Sequence, residues 1–310
     1  MIKMKKHIVL LFSLFLVLSS QAQQELQVSQ YMFNGLLLNP AYAGSHDYFS
    51  ASVLHRSQWV QLDNAPVNQV FAIDGPVAND RLGVGLIVSN DQLGIVSQLD
   101  VSANVSAKFR LGAGDLSFGL RGGISSYSAK LSDVEVWDVD DPLYSQNNIS
   151  GEMITKFGFG AYYTTRKFFA GISVPVIYSL DDNILGEVST VDDYFTQHYY
   201  AHAGGVIEAT PSLAIKPSVL VKYLPAVPVE VDLNCNLLFY NRFWIGAGYR
   251  TGDALIGMFE YNITPQFRVG YAYDYTLTDI QDYSSGSHEI MLGFDFGKDV
   301  NIKTRSPRYF

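Results

Sequence analysis

The sequence has very little cysteine, since Cys235 is the single one among 310 residues. One thiol cannot make an intrachain disulfide, so we predict a fold that does not depend on disulfide bridges. No cysteine follows the apolar stretch near the N-terminus, which also argues against attachment as a lipoprotein. Cys235 lies within a stretch of alternating residues, and the alternation assigns it to the apolar face of a strand.

Long apolar runs are missing after residue 22. No run of about eighteen apolar residues occurs there, which predicts a mature chain without a transmembrane helix. Before that point, Met1 to His7 is basic, Ile8 to Leu18 is apolar, and Ser20 to Ala22 offers small residues. An apolar core this short behind a basic start predicts a signal peptide over 1–22. Its removal takes the formal charge from −9 to −12, which argues against a nucleic-acid partner.

The chain also lacks readable catalytic and metal-binding patterns. It has no Gly-x-Ser-x-Gly motif, and its Ser, His and Asp residues are too scattered to form a triad. His198 and His202 would suit a metal on a helix, but on a strand they lie about 13 Å apart. The carboxylates of 133–141 lack the spacing of a calcium loop, so we interpret them as a solvated acidic loop. We therefore predict a protein that is not an enzyme, with no catalytic residues, cofactor or metal.

What the chain contains in abundance is alternation of apolar and polar residues. The clearest stretch is 229–239, VEVDLNCNLLF, whose apolar and polar residues fall on opposite faces of a strand. About eleven residues is the length that a tilted strand needs to cross a bilayer, whereas soluble strands average about half of that. A single strand in lipid has unpaired edges, so it requires neighbours until the sheet closes. Two all-β interpretations remain, a soluble β-sandwich and an outer-membrane barrel.

Similar stretches recur and predict about fourteen strands. They lie near 48–61, 66–74, 82–90, 95–110, 115–127, 153–164, 168–175, 197–208, 212–224, 228–239, 243–251, 254–263, 265–276 and 286–296. Connections at one end are short, whereas the other end carries the three longest, 128–152, 176–196 and 277–285. A sandwich has no reason to sort loop length in this way. We therefore predict an up-and-down, antiparallel transmembrane β-barrel over 48–296.

Two segments flank the predicted barrel. Residues 23–47 are not strand-like, and Asn39, Pro40 and Gly44 punctuate them with turns, which indicates a short helical or plug-like segment in the periplasm or the lumen. Fourteen or so strands leave a lumen wide enough for water, so we predict that this segment packs inside it or across the periplasmic mouth. Residues 297–310 predict a basic periplasmic tail.

Charged residues of both signs fall on the inward face of the predicted strands. They are Lys108, Arg110, Arg121, Lys216, Lys222, Glu230, Asp232, Arg250, Glu260 and Asp274. Such residues either join in ion pairs across the lumen or line a small channel, and the sequence leaves both interpretations open.

Short motifs are spread over nearly the whole mature chain. They are QYMFN at 30–34, NPAYAG at 39–44, RSQW at 56–59, IDGP at 73–76, NDQLG at 90–94, LSFGLRGG at 116–123, YDY at 273–275 and GSHEIML at 286–292. Together they resemble the PorP/SprF family of type IX secretion system membrane proteins from the Bacteroidetes group of bacteria. The resemblance implies an outer-membrane barrel, embedded in outer-membrane lipid, that helps secrete or anchor surface proteins such as gliding adhesins. Its expected partners are periplasmic ring or motor proteins of that system and the secreted adhesin or other surface cargo.

Candidate partner-binding residues lie in the N-terminal segment and in the acidic loop. They are Tyr31, Phe33, Asn34, Asn39, Pro40, Trp137, Asp138, Asp140 and Asp141. Trp137 is either an exposed anchor for a partner or a side chain that packs over the barrel mouth. The alternative function is a passive outer-membrane porin for small solutes, and an outer-membrane lipase or protease is a third class.

Overall fold

The computed structural model describes residues 27–78, 80–133, 148–179, 197–225 and 227–297. The predicted signal peptide and most of the predicted basic tail lie outside the described residues. Across the described ranges, no helix is both long enough and apolar enough to cross a membrane.

Fourteen antiparallel strands form one closed barrel. Each strand pairs with the next along the chain, and the first also pairs with the last, with Phe49 opposite Phe296. The strands are β1 Phe49–Ser57, β2 Val67–Val77, β3 Leu82–Leu93, β4 Val96–Leu111, β5 Gly114–Ala129, β6 Ile149–Thr164, β7 Phe168–Ser179, β8 Tyr199–Gly205 with Ile207–Thr210, β9 Leu213–Tyr223, β10 Glu230–Phe239, β11 Phe243–Arg250, β12 Ala254–Asn262, β13 Phe267–Thr276 and β14 Ser287–Phe296. The prediction of an all-β transmembrane barrel is confirmed, and closure excludes the two-sheet sandwich.

The eighth strand is interrupted at Val206, opposite a proline. Its two parts pair with the same neighbour, β9, on either side of the stretch that contains Pro217. Proline has no N–H to donate to a ladder, so a regular pairing is lost there. The N–H of Val206 donates to the carbonyl of Lys167 at 2.8 Å, which keeps β8 attached to β7 across the break. The barrel therefore stays closed around an irregular position.

The barrel wall is apolar on its outside and polar on its inside. Large apolar side chains such as Leu120 and Ile172 are 63% and 65% exposed on the outer face. In β10, Asp232 and Asn234 are buried on the inner face, whereas Leu233 between them is exposed. This pattern is the reverse of a soluble protein and suits a wall that faces lipid.

Connection lengths differ between the two ends of the barrel. At one end, which we call the short-turn end, six connections span two to four residues each. In one of them, Tyr240 and Asn241 adopt positive φ of 52° and 56°, as a tight hairpin turn requires. The other end, which we call the long-loop end, carries the connections 130–148, 180–198 and 277–286. The sorting of loop length by end therefore follows the sequence-based prediction.

Residues 27–47, which we call the luminal segment, run through the barrel between these two ends. The segment contains two short 3-10 turns, Tyr31–Phe33 and Pro40–Tyr42. Near its start, Gln27 donates to Asp253 in a connection at the long-loop end at 3.1 Å. Near its finish, the N–H of Gly44 donates to Asp74 towards the short-turn end at 2.9 Å. The segment thus extends over the length of the lumen and is not confined to one mouth.

Candidate functional site

The luminal segment is almost completely enclosed by the barrel. Ser29, Gln30, Leu36, Asn39 and Ala41 have no exposed surface. The segment occupies the space that a ring of this size would otherwise leave to water. The candidate functional site is therefore the luminal segment together with the wall that binds it.

Side chains of the wall bind the main chain of the luminal segment. Their N–H and O–H groups donate to its backbone carbonyls, from Arg121 to Leu36 at 2.5 Å, Ser173 to Leu38 at 2.6 Å, Ser106 to Ala43 at 2.6 Å and Lys216 to Met32 at 3.1 Å. Buried carbonyls need such partners, because an unmade bond leaves their desolvation uncompensated. The wall thus supplies the hydrogen bonds that this irregular segment does not make within itself.

Glycines in the wall make room for the segment. A Cβ atom added at Gly83 would collide with the carbonyl of Ala43, and one added at Gly119 would collide with the backbone N of Ala41. The same holds at Gly160, where the side-chain oxygen of Asn39 occupies the place of a Cβ. The close approach of the segment, by its backbone at Gly83 and Gly119 and by the Asn39 side chain at Gly160, therefore requires glycine at these three inward positions.

We expect Gly119→Leu to displace the luminal segment and to lower the free energy of unfolding by about 1–3 kcal/mol, because overpacking against backbone cannot be relieved by a rotamer change. Urea unfolding in detergent micelles measures the loss. Gly122→Leu is the matched control, since Gly122 lies on the same strand with nothing within 4 Å of an added Cβ. Equal losses in the two variants would contradict a role for the close approach.

Buried charged residues form an ionic cluster towards the long-loop end. Arg56 pairs with Asp274 at 2.8 Å and with Glu289 at 3.4 Å. Arg250 pairs with Asp232 at 3.1 Å and with Asp274 at 3.3 Å. All five side chains are at most 2% exposed. Since charges buried in this way need partners, each member depends on the others being present.

The ionic cluster holds the start of the luminal segment. The two carboxylate oxygens of Glu289 accept from the backbone N–H groups of Ser29 and Gln30, both at 2.8 Å. The hydroxyl of Ser29 donates to Asp274 at 2.7 Å and accepts from Arg56 at 3.0 Å. Such charge-assisted bonds are stronger than neutral ones. The cluster therefore fixes the segment at the end opposite to its junction with β1.

An aromatic pocket surrounds a buried lysine in the middle of the lumen. The Nζ atom of Lys216 lies 6.0 Å from the ring centroid of Phe33, 5.8 Å from that of Phe169 and 6.0 Å from that of Trp244. Distances of this size suit cation–π attraction. Phe33 in turn meets Trp244 edge to face, with centroids 5.8 Å apart. Lys216 thus joins the segment to the wall through both its charge and its apolar surroundings.

His198 and His202, whose spacing would suit a metal on a helix, pack against aromatic rings. The His202 ring lies edge to face with Tyr162 and with Phe169, at centroid distances of 5.6 and 5.9 Å. His198 lies beside Tyr200 at 6.1 Å. Within the described ranges, no group of three or more His, Cys, Asp and Glu side chains is arranged to hold a metal ion.

Four of the nine candidate partner-binding residues are buried inside the barrel and contact its wall or the segment itself. The hydroxyl of Tyr31 accepts from Asn234 at 2.6 Å, and Asn34 donates to Ser52 at 2.7 Å. Asn39 caps the turn that Pro40 begins, where its side chain accepts from the N–H of Ala41 at 2.9 Å.

Phe33, packed on Trp244, is partly buried. The structure thus brings the five N-terminal candidates together, but it does so within the chain's own lumen. They are Tyr31, Phe33, Asn34, Asn39 and Pro40. The loop candidates Trp137, Asp138, Asp140 and Asp141 lie outside the described residues. A role of either group in partner binding stays a prediction.

The family can be assigned by comparison with known proteins. The model of the type IX secretion system membrane protein PorP/SprF family matches residues 20–294, which is most of the chain. The chain belongs to the PorP/SprF family. The match covers both the luminal segment and nearly all of the barrel of this PorP/SprF protein. No curated protein matches it.

Solved structures of outer-membrane proteins are similar to this PorP/SprF barrel at low identity. The Acinetobacter baumannii outer membrane protein Omp33 is 11% identical with a TM-score of 0.47, over 82% of this chain and 100% of that chain. The CymD monoaromatic hydrocarbon channel is 14% identical with a TM-score of 0.47, over 85% and 91%. Outer membrane phospholipase A from Escherichia coli is 8% identical with a TM-score of 0.40, over 88% and 99%.

Proposed function

We propose that this PorP/SprF protein helps to secrete surface proteins, or to anchor them at the cell surface, through protein–protein contacts. The observation that carries the proposal is the filled lumen. Wall side chains and the ionic cluster hold the luminal segment along the barrel axis, in the space that solutes would have to cross. The family assignment supports a place in type IX secretion, and the filled lumen supports a role through contacts rather than diffusion.

The proposal places the barrel in the outer membrane with its long-loop end outside the cell. Short turns on the periplasmic side and long loops outside are the general asymmetry of such barrels. The connections 130–148 and 180–198 would then contact secreted cargo, including gliding adhesins, with Trp137 and the nearby carboxylates as anchors. The short turns and the basic tail would face the periplasmic ring or motor. Catalysis has no part in this role.

We expect a thiol at Asp282→Cys to react with a membrane-impermeant maleimide on intact cells, whereas a thiol at Arg166→Cys reacts only after the outer membrane is permeabilised. Both positions are exposed, one in the connection 277–286 and the other in a short turn. The labelling is done in a Cys235→Ser background, because the native cysteine is exposed on the outer wall of β10. The reverse labelling pattern would overturn the orientation.

The test of the function is the surface and culture-medium proteome of a strain that lacks this gene. Loss of one large adhesin is expected if the protein serves a dedicated cargo. Loss of all type IX cargo is expected if it belongs to the shared machinery. An unchanged proteome with reduced uptake of small solutes would favour the porin and overturn the proposal.

A further inference from the structure

Residues 27–44 of the luminal segment are uncharged, yet the wall around them is charged. Residues 27–44 contain no Asp, Glu, Lys, Arg or His. The buried side chains that meet them include Arg121, Lys216 and Glu289, and each of these three bonds to a backbone carbonyl or N–H group. The wall therefore binds peptide groups, which every polypeptide segment carries, in a segment that brings no charged side chain of its own.

The luminal segment belongs to none of the strand pairings of the barrel. Its own backbone bonds are local turns, for example from the N–H of Phe33 to the carbonyl of Gln30 at 3.0 Å. Every strand of the barrel has both of its neighbours without any contribution from residues 27–47. Because the sheet is complete without it, the segment is held as a ligand is held, by side chains and shape.

Some buried polar atoms at the long-loop end lack a hydrogen bond within the described protein. There the side-chain oxygen Oε1 of Gln30, the Nε atom of Arg56 and the Oδ1 atom of Asp274 are buried and make no hydrogen bond with the described protein. Each such atom offsets part of the binding that its neighbours provide. At the short-turn end the segment continues covalently into β1 at Phe49. Release would therefore begin at Ser29 and Gln30.

We propose that the lumen is a peptide-binding site that recognises main-chain groups, with residues 27–44 as its resident and exchangeable ligand. The ligand class is an uncharged polypeptide segment with a turn that fits against Gly119 and Gly160. This inference deepens the proposed function and rests on it in one respect, because the displacing segment would come from a secreted protein or from the secretion machinery.

The experiment separates the resident segment from the barrel without deleting it. A protease recognition sequence is inserted after the exposed Asp47 in the full-length protein, which is then cut in detergent. A fluorescent peptide of residues 27–44 is added, and binding is followed by anisotropy. Two control peptides are used, one scrambled with the same composition and one carrying Leu36→Asp, because Leu36 is fully buried.

The expected result is that the cut protein binds the native peptide at least about tenfold more tightly than either control peptide, whereas the uncut protein binds none of them. Arg121→Ala with Ser173→Ala should weaken binding of the native peptide to the cut protein, because both side chains bond to its carbonyls. Equal binding of the scrambled peptide, or no exchange after cutting, would overturn the proposal. Loss of the folded barrel on cutting would overturn it too, since the segment would then be part of the core.

If the insertion prevents folding, the chain lacking residues 27–44 is used instead and is refolded with the free peptide in solution. Binding of the native peptide by that barrel supports the proposal, and failure to bind it refutes the proposal. Both results are independent of the secretion phenotype. A strain that lacks the gene but secretes normally would remove the proposed function and leave the peptide site unaffected.

Discussion

Deletion of residues 27–44 is expected to turn a plugged barrel into an open pore, with a rise in single-channel conductance of roughly tenfold or more. The physical reason is that these residues fill the lumen along its length, from the ionic cluster to Gly44. Without them, the lumen is lined by charged and polar side chains that water and ions can hydrate. Recordings in planar lipid bilayers measure the change.

The intact protein is the reference for this deletion, and Gly122→Leu is a control that alters the outer wall alone. The fold of each variant is checked by the change in gel mobility on heating, which reports whether a barrel resists detergent. A folded deletion variant with the conductance of the intact protein would contradict the role of residues 27–44 as a plug. High conductance of the intact protein would contradict it as well.

The strands were predictable because alternation is a local property of the sequence. The stretch 229–239 was predicted as a strand, and the strand runs from Glu230 to Phe239. Strand ends were less predictable. The prediction for the seventh strand stops at 175, but β7 continues to Ser179 because a register shift opposite Pro175, between Phe157 and Phe159, absorbs the proline.

The candidate site was predictable only in part. Alternation predicts that Asp232, Arg250 and Asp274 face inward, and all three are buried. Arg110, which was predicted to face inward as well, has a side chain that is 70% exposed, because it lies at the short-turn end of β4 beside Asp115.

The contact between Ser29 and Glu289 could not be predicted, because it joins residues 260 positions apart in the sequence. The inward face of Glu289 follows from the alternation of β14, but its partner depends on the path of an irregular segment. No local pattern encodes that path. The direction in which the segment runs, from the long-loop end to the short-turn end, was missed for the same reason.

Replacement of Arg250 by Met is expected to lower the free energy of unfolding by about 3–5 kcal/mol, the largest effect of any single substitution considered for this barrel. Arg250 has no exposed surface, and its guanidinium group bonds to Asp232 at 3.1 Å and to Asp253 at 3.0 Å. Methionine fills a similar space but removes the cation that Asp232, Asp253 and Asp274 share. Urea unfolding in lipid vesicles measures the loss, and Arg110→Met is the matched control, because its pair with Asp115 is largely exposed and should contribute less than about 1 kcal/mol.

A second substitution separates the effect of an uncompensated buried charge from the effect of lost packing. If the cost comes from an uncompensated charge at Asp232, then Arg250→Met combined with Asp232→Leu should recover most of the lost stability, because both partners of a buried pair are then replaced by apolar groups. If the double variant is as unstable as the sum of the two single variants, the ionic cluster does not act as a unit. Recovery would instead show that the free energy gained from the Arg250–Asp232 ion pair only offsets the cost of burying its two charges. Retention of the cluster would then be best explained by the bonds that Glu289, Asp274 and Arg56 make to Ser29 and Gln30, which apolar side chains cannot provide.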